Sequence, residues 1–211
     1  MLRSIVLAVL ALACSGCALV GSDAPLFQPG GALVLRPGVW SVPNGPCEFD
    51  AAKPVAAWPS CANAMVVSAA SITGGFAGED KTRQTIAYVL ADGDPAVLQL
   101  QSQQERKPGE PVYVYAAARP LRKDPSGRVV EAKVWLALCY RPPVNLDGKG
   151  PAGRPDRPQR PFPGLVMKPG DSFCRASTPA AVRNAALRSE GVTLAPDAPG
   201  LVASWRRDGA R

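Results

Sequence analysis

The chain has 211 residues, of which 24 are Lys or Arg and 17 are Asp or Glu, so its formal net charge is +7. It contains no histidine, which excludes Ser-His-Asp and Cys-His catalytic pairs and every histidine metal ligand. Val, Leu and Ala are abundant beside 23 prolines and 20 glycines. This composition predicts a loop-rich folded domain rather than a disordered chain.

An early arginine and a short apolar run open the chain. Arg3 precedes the apolar stretch 5–13, which is shorter than the roughly 20 residues that cross a bilayer. We therefore predict that residues 1–16 are a signal peptide. The run ends in Ser15-Gly16-Cys17, and small residues directly before a cysteine resemble the lipobox of bacterial lipoproteins. The resemblance implies cleavage before Cys17 and its acylation, with Cys14 as the competing cysteine and an unlipidated secreted protein as the alternative.

The residues after Cys17 bear on localisation. Lipoproteins of two-membrane bacteria that carry Asp at this place tend to stay at the inner membrane, whereas Ala18, Leu19 and Val20 follow here. The resemblance therefore implies an outer-membrane lipoprotein that faces the periplasm and is anchored by its acyl chains. We predict a lipidated tether over residues 17–30 and one β-rich domain over residues 31–211.

Four further cysteines are expected to form disulfides, because export places them in an oxidising compartment. Of the possible pairings we favour Cys47–Cys61 and Cys139–Cys174. None of these four cysteines stands in a C-x-x-C spacing with another, so we predict neither a metal site nor a cofactor.

Alternating apolar residues and turn signals predict a mainly β (α+β) fold. The clearest hairpin joins 85–90 to 96–101 through Asp92-Gly93, with Leu98 and Leu100 in the core and Gln99 and Gln101 in water. Sequential hairpins favour an antiparallel β-barrel or sandwich of about seven strands. The other predicted strands are 32–36, 64–72, 112–118, 129–140 and 201–205.

The C-terminal third combines a proline-rich excursion with a helix. Residues 141–163 are rich in proline and arginine, and such a stretch is extended. It is either a solvated surface segment or a contact arm for an anionic partner through Arg154, Arg157 and Arg160. Thr178 and Pro179 then predict the start of the single helix, which runs through residues 180–190 and stops at Gly191.

A short motif lies near the first predicted strand. Gly38-Val39-Trp40 resembles the G-x-W motif of lipocalins. That resemblance implies an eight-stranded antiparallel barrel, a helix near the C-terminus and an arginine of the last strand packed on the tryptophan, here Arg206 or Arg207. Trp40 as a plain core aromatic is the alternative.

The candidate catalytic groups are two carboxylate pairs, Glu48/Asp50 and Asp92/Asp94, and both have a structural explanation as caps or turn residues. We therefore predict no catalytic residues and no enzyme activity. The leading hypothesis is a non-catalytic envelope lipoprotein with a structural or interaction role at the membrane. Its partners would be the membrane, through the lipid, and an anionic envelope component, but not nucleic acid.

Two other functions stay open. One is a lipocalin-like carrier of a small apolar ligand, and the other is a carboxylate-dependent glycan hydrolase that uses Glu48 or Asp50.

Overall fold

The computed structural model describes residues 18–42, 48–59, 62–74, 84–101, 109–141, 160–168, 171–192 and 201–207. Within these ranges the chain forms eleven strands, a short 3-10 helix at Val55–Ala57 and one α-helix, α1, at Pro179–Arg188. The strands are β1 (Leu19–Ser22), β2 (Gly38–Ser41), β3 (Ala64–Val67), β4 (Ser71–Gly74), β5 (Gln84–Ala91), β6 (Ala96–Gln101), β7 (Tyr113–Lys123), β8 (Val129–Leu136), β9 (Leu165–Val166), β10 (Phe173–Ala176) and β11 (Leu201–Arg207).

Eight of the strands close into an antiparallel β-barrel. The ring runs β2 to β8 in chain order and then β11, which pairs with β2 so that Trp205 lies opposite Trp40. The fold is therefore mainly β, as predicted, and it is a barrel rather than a sandwich. Closure gives each of these strands a neighbour on both sides, which removes exposed strand edges from the ring.

Alternate side chains along the barrel strands point into two different cores. On β7, Ala116 and Ala118 face the barrel interior, whereas Tyr115 and Ala117 face outward into a second core. Side chains also alternate along 129–140, where Ala132 packs in the interior. The outward Trp135, Ala137 and Cys139 of the same segment belong to the second core.

The second core lies between the outer barrel wall and α1. Ala181, Val182, Ala185 and Ala186 are all buried on the helix face that packs there. Trp135 of β8 donates its Nε1–H to the carbonyl oxygen of Ala186 at 2.8 Å. The small alanines let the helix approach the sheet closely, as the sequence predicts.

Local signals start and stop α1 as expected. Thr178 caps the helix, with its hydroxyl oxygen accepting the amide of Ala181 at 3.3 Å, and Pro179 occupies the first turn. The helix ends at Arg188, and Gly191 follows with a φ of +78°, a left-handed conformation that glycine adopts without steric cost.

One end of the barrel is closed by a strap, residues 31–37. The Asp92 carboxylate accepts the amides of Ala32 and Leu33 at 2.7 and 2.8 Å. Farther along, Leu35 bridges to Val129 in parallel and is buried in the interior core. The prediction of a regular strand over 32–36 is wrong, because this segment crosses the barrel end and pairs only at Leu35.

Residues 18–30 do not form the expected spacer. β1 pairs with the start of β7 on one side and with β10 on the other, and Val20 is completely buried. The tether prediction is wrong here because β1 pairs with Tyr113 and Val114 of β7. The pairing between β7 and β8 begins only at Ala116, so β1 provides the backbone partners that β8 does not.

A buried glutamine holds the next part of this segment. Gln99 of β6 accepts the amides of Leu26 and Phe27 at 2.8 and 3.0 Å and is only 3% exposed. Placing Gln99 in water was therefore wrong, since the N-terminal segment covers it, whereas Gln101 is exposed as expected.

The predicted Cys139–Cys174 disulfide is present. Its Cα atoms are 5.8 Å apart, and it joins the segment after β8 to β10 across a sequence separation of 35 residues. A loop of this size is expected to stabilise the fold by about 3–4 kcal/mol, chiefly by restricting the unfolded chain. Cys47 and Cys61 lie outside the described residues.

Candidate functional site

The open end of the barrel carries a ring of apolar side chains that point inward and are only partly buried. The strap and the short turns at 68–70, 92–95 and 124–128 occupy the opposite, closed end. At the open end we define the mouth ring by five residues whose pairing places them on the inner face: Met65, Ile86, Leu100, Val114 and Leu136.

Burial of the inner face increases from the mouth ring toward the closed end. On four strands the next inward residue is buried: Val67 after Met65, Tyr88 after Ile86, Leu98 after Leu100 and Ala116 after Val114. The inner face is therefore more buried toward the strap than at the mouth ring. A cavity of about 330 Å³ lies beside the strap, and its lining includes Leu33, Leu35, Tyr88 and Leu90.

The two halves of the barrel wall differ in side-chain size. The interior residues of β6, β7, β8 and β11 include five buried alanines: Ala96, Ala116, Ala118, Ala132 and Ala203. The facing strands carry larger side chains, among them Trp40, Met65 and Tyr88. Large residues on one wall therefore lie across the interior from small ones on the other.

Polar atoms on the interior aromatic side chains already have protein partners. Trp40 Nε1–H donates to the carbonyl of Arg36 at 2.8 Å, and Trp205 Nε1–H donates to that of Pro37 at 3.1 Å. The Tyr88 hydroxyl donates to the carbonyl of Ser68 at 2.9 Å, and burial raises the pKa of this phenol. These aromatic polar atoms therefore have hydrogen-bond partners within the protein.

A charged cluster secures the closed end. The Arg36 guanidinium lies over the Trp205 ring and 3.5 Å from the Asp124 carboxylate. The Ser126 hydroxyl donates to Asp124 at 2.6 Å, and this bond, with the amide of Arg128, lowers the pKa of Asp124 to about 2. The cluster holds the strap against the closed end of the barrel.

Arg206, one of the two arginines expected to pack on Trp40, contacts Ser41 instead. Arg206 donates its Nε–H to the hydroxyl of Ser41 at 2.7 Å. The cation–π contact at the closed end joins Arg36 to Trp205 instead. The side chain of Arg207 lies outside the described part of the chain.

Asp92, Asp94 and Asp50 of the two candidate carboxylate pairs hold structural contacts. Asp92 binds the strap, and Asp94 forms an ion pair with Arg119. Arg119 also donates two hydrogen bonds, at 3.1 and 2.9 Å, to Glu190 and thereby lowers the pKa of that carboxyl. Asp50 accepts the amide of Ala52 at 2.8 Å, as a cap does.

Of the remaining predicted site residues, only Arg160 lies in the described part of the chain. Arg160 is exposed, whereas Cys17, Arg154 and Arg157 lie outside the described residues. Among the residues that are described, no group of three Cys, Asp or Glu side chains is arranged to hold a metal ion. Within the same residues no helix has the length and apolar character needed to cross a membrane.

Sequence reasoning missed the mouth ring. The alternation along 96–101 identifies Leu98 and Leu100 as inward residues, but it does not distinguish the buried from the accessible one. That distinction depends on the distance of each residue from the strap, which packs across the barrel end from far away in sequence.

No family model, curated protein or solved structure matches the chain.

Proposed function

We propose that this protein is a non-catalytic envelope lipoprotein, anchored through Cys17, whose barrel mouth binds one slender apolar ligand. The observation that carries the proposal is the apolar mouth ring, which stays partly exposed while the interior below it is buried. Partly exposed apolar side chains that are continuous with a core favour contact with an apolar molecule.

The apolar side chains of the mouth ring and the interior core favour an aliphatic chain as the ligand. The interior core cluster consists of apolar and aromatic side chains, and the polar atoms of Trp40, Tyr88 and Trp205 are already hydrogen-bonded to backbone carbonyls. A ligand group that needs hydrogen bonds would lose them on entry, at about 1–3 kcal/mol for each group. A hydrocarbon chain has no such cost, and its polar head would remain at the mouth.

The proposal is tested by titrating a fluorescent long-chain polyene fatty acid into the mature chain carrying Cys17→Ala. Saturable binding of one fatty acid per chain, with quenching of tryptophan fluorescence, is the expected result. Leu100→Glu places a charge in the mouth ring at a partly exposed position, and it should weaken binding by at least about tenfold, or about 1.4 kcal/mol.

Leu121→Glu is the matched control. Leu121 is 51% exposed on β7 outside the mouth ring, so its substitution should leave fatty-acid binding unchanged. Absence of saturable binding to the folded parent chain would overturn the proposal, as would equal effects of the two substitutions.

A further inference from the structure

We infer that the cleft between the 92–95 turn and α1 binds a free α-amino acid with an aliphatic side chain. The cleft has a volume of about 420 Å³, and α1 contributes Arg183, Asn184 and Leu187 to its lining. A volume of this size lies within the range of small-molecule sites. The cleft lies at the closed end, away from the mouth ring, so the inference is independent of the proposed fatty-acid site.

Arg183 is the cation of this cleft, and its position is fixed by two contacts. The guanidinium carbon lies 5.1 Å from the centroid of the Phe27 ring, which covers one face of the group. The guanidinium also packs against the backbone of Gly93, where a Cβ atom would overlap Nη1. A side chain at this turn position would therefore displace the guanidinium, and the absence of one keeps it in the cleft.

The fixed guanidinium leaves its donors unused. Within the described ranges Arg183 forms neither a hydrogen bond nor an ion pair. The nearby acids bind other groups, because Asp92 accepts amides of the strap and Asp94 pairs with Arg119. A guanidinium presents its N–H donors in a planar fork that matches a carboxylate. Arg183 is thus placed to bind the carboxylate of a ligand.

Two carboxylates beside this cation can still accept hydrogen bonds. Asp92 and Asp94 are exposed, and each is the chain neighbour of Gly93, at a Cα spacing of about 3.8 Å. Each oxygen of an ionised carboxylate accepts about two hydrogen bonds. Asp92 uses one position on each oxygen for the strap, and Asp94 contacts Arg119 through Oδ1. The remaining positions can accept an ammonium group.

This arrangement of charges selects a zwitterion. Phosphate would suit Arg183 but would be repelled by the two carboxylates, and a simple cation would be repelled by the guanidinium. An α-amino acid has its ammonium and its carboxylate on one carbon. It therefore offers both charges over the short distance between the guanidinium packed on Gly93 and the two flanking acids. Leu187, which is 53% exposed, and Pro95 provide an apolar side for an aliphatic side chain.

Calorimetric titration tests the inference. The mature chain carrying Cys17→Ala is titrated with leucine, with N-acetylleucine, which lacks the ammonium, and with leucinamide, which lacks the carboxylate. We expect saturable binding of one leucine per chain and at least about tenfold weaker binding of each analogue. Amide NMR shifts caused by leucine should include those of Gly93, Asn184 and Leu187.

Two substitutions connect each charge of the ligand to its partner. Arg183→Gln should weaken leucine binding by about tenfold and leave leucinamide binding unchanged, because leucinamide has no carboxylate. Asp94→Asn should weaken leucine binding several-fold and leave the binding of N-acetylleucine unchanged, because N-acetylleucine has no ammonium. Arg122→Gln removes an equal charge from an exposed site on β7 and should leave all three affinities unchanged.

Three outcomes would overturn the inference. One is the absence of saturable leucine binding to the folded parent chain. Another is equal affinity for leucine and its two analogues, which would show apolar contact alone. The third is a shift of the same amides by methyl glucoside but not by leucine, which would assign the cleft to a neutral saccharide. The fatty-acid titration tests the mouth ring separately.

Discussion

The guanidinium carbon of Arg36 lies 3.7 Å from the centroid of the Trp205 ring. Arg36 belongs to the strap, and Trp205 lies on the strand that closes the barrel against β2. The contact therefore joins the strap at the closed end to the pair of strands, β11 and β2, that closes the ring. Cation–π contacts of this kind contribute about 0.5–2 kcal/mol, with the larger values where the cation is shielded from water.

Arg36→Gln should destabilise the barrel by about 1–2 kcal/mol, because it removes the contact with Trp205 and the ion pair with Asp124. The measurement is the urea midpoint, with an unchanged dependence on urea concentration. Arg122→Gln is the control, since Arg122 forms an exposed ion pair with Glu131 and should cost less than about 0.5 kcal/mol. Equal losses of stability in the two variants would show that the contacts of Arg36 stabilise the fold no more than an exposed ion pair does.

The pKa of Asp124, lowered to about 2, predicts that the free energy of unfolding decreases at acid pH. A carboxyl whose folded pKa is depressed stabilises the fold above its unfolded pKa and loses that contribution as pH falls toward the folded pKa. Stability should therefore fall between about pH 4 and pH 2, and Asp124→Asn should flatten this part of the profile. Urea midpoints at several pH values measure it. Asp171→Asn, at an exposed position, should leave the slope as it is in the parent chain.

Ser189 links the helix to the barrel wall. It is 1% exposed, donates its hydroxyl to the carbonyl of Ala185 at 2.7 Å and accepts the amide of Leu138 at 2.9 Å. Ser189→Ala leaves that buried amide without its partner and should cost about 1–3 kcal/mol. Ser172→Ala, at an exposed residue, should be nearly neutral, and a comparable loss there would contradict this account.

The Cys139–Cys174 disulfide should contribute about 3–4 kcal/mol. The double substitution Cys139→Ala/Cys174→Ala removes it, and thermal unfolding measures the loss. We expect a lower Tm than that of the oxidised parent chain. When a reductant is added to both proteins, the Tm of the parent should approach that of the double variant. A double variant as stable as the oxidised parent would show that the bond does not restrict the unfolded chain.

Local sequence signals determined several elements of this protein. The Asp92-Gly93 turn between alternating segments predicts the β5–β6 hairpin, and Thr178-Pro179 predicts the start of α1. The oxidising compartment predicts disulfides, and Cys139–Cys174 is one of the two bonds in the favoured pairing. These features depend on neighbours within a few residues or on covalent chemistry, so the amino-acid sequence alone is sufficient to indicate them.

Only the tertiary structure decided how the segments cover one another. β11 closes the ring against β2, β1 enters the sheet beside β7, and the segment 24–28 covers Gln99. Each of these contacts joins residues that are far apart in the chain. Hydrophobic periodicity shows which side of a strand is apolar but not which other segment will lie against it. For the same reason the sequence indicates Leu98 and Leu100 alike as core residues, and only the packed strap leaves Leu98 buried and Leu100 at the mouth.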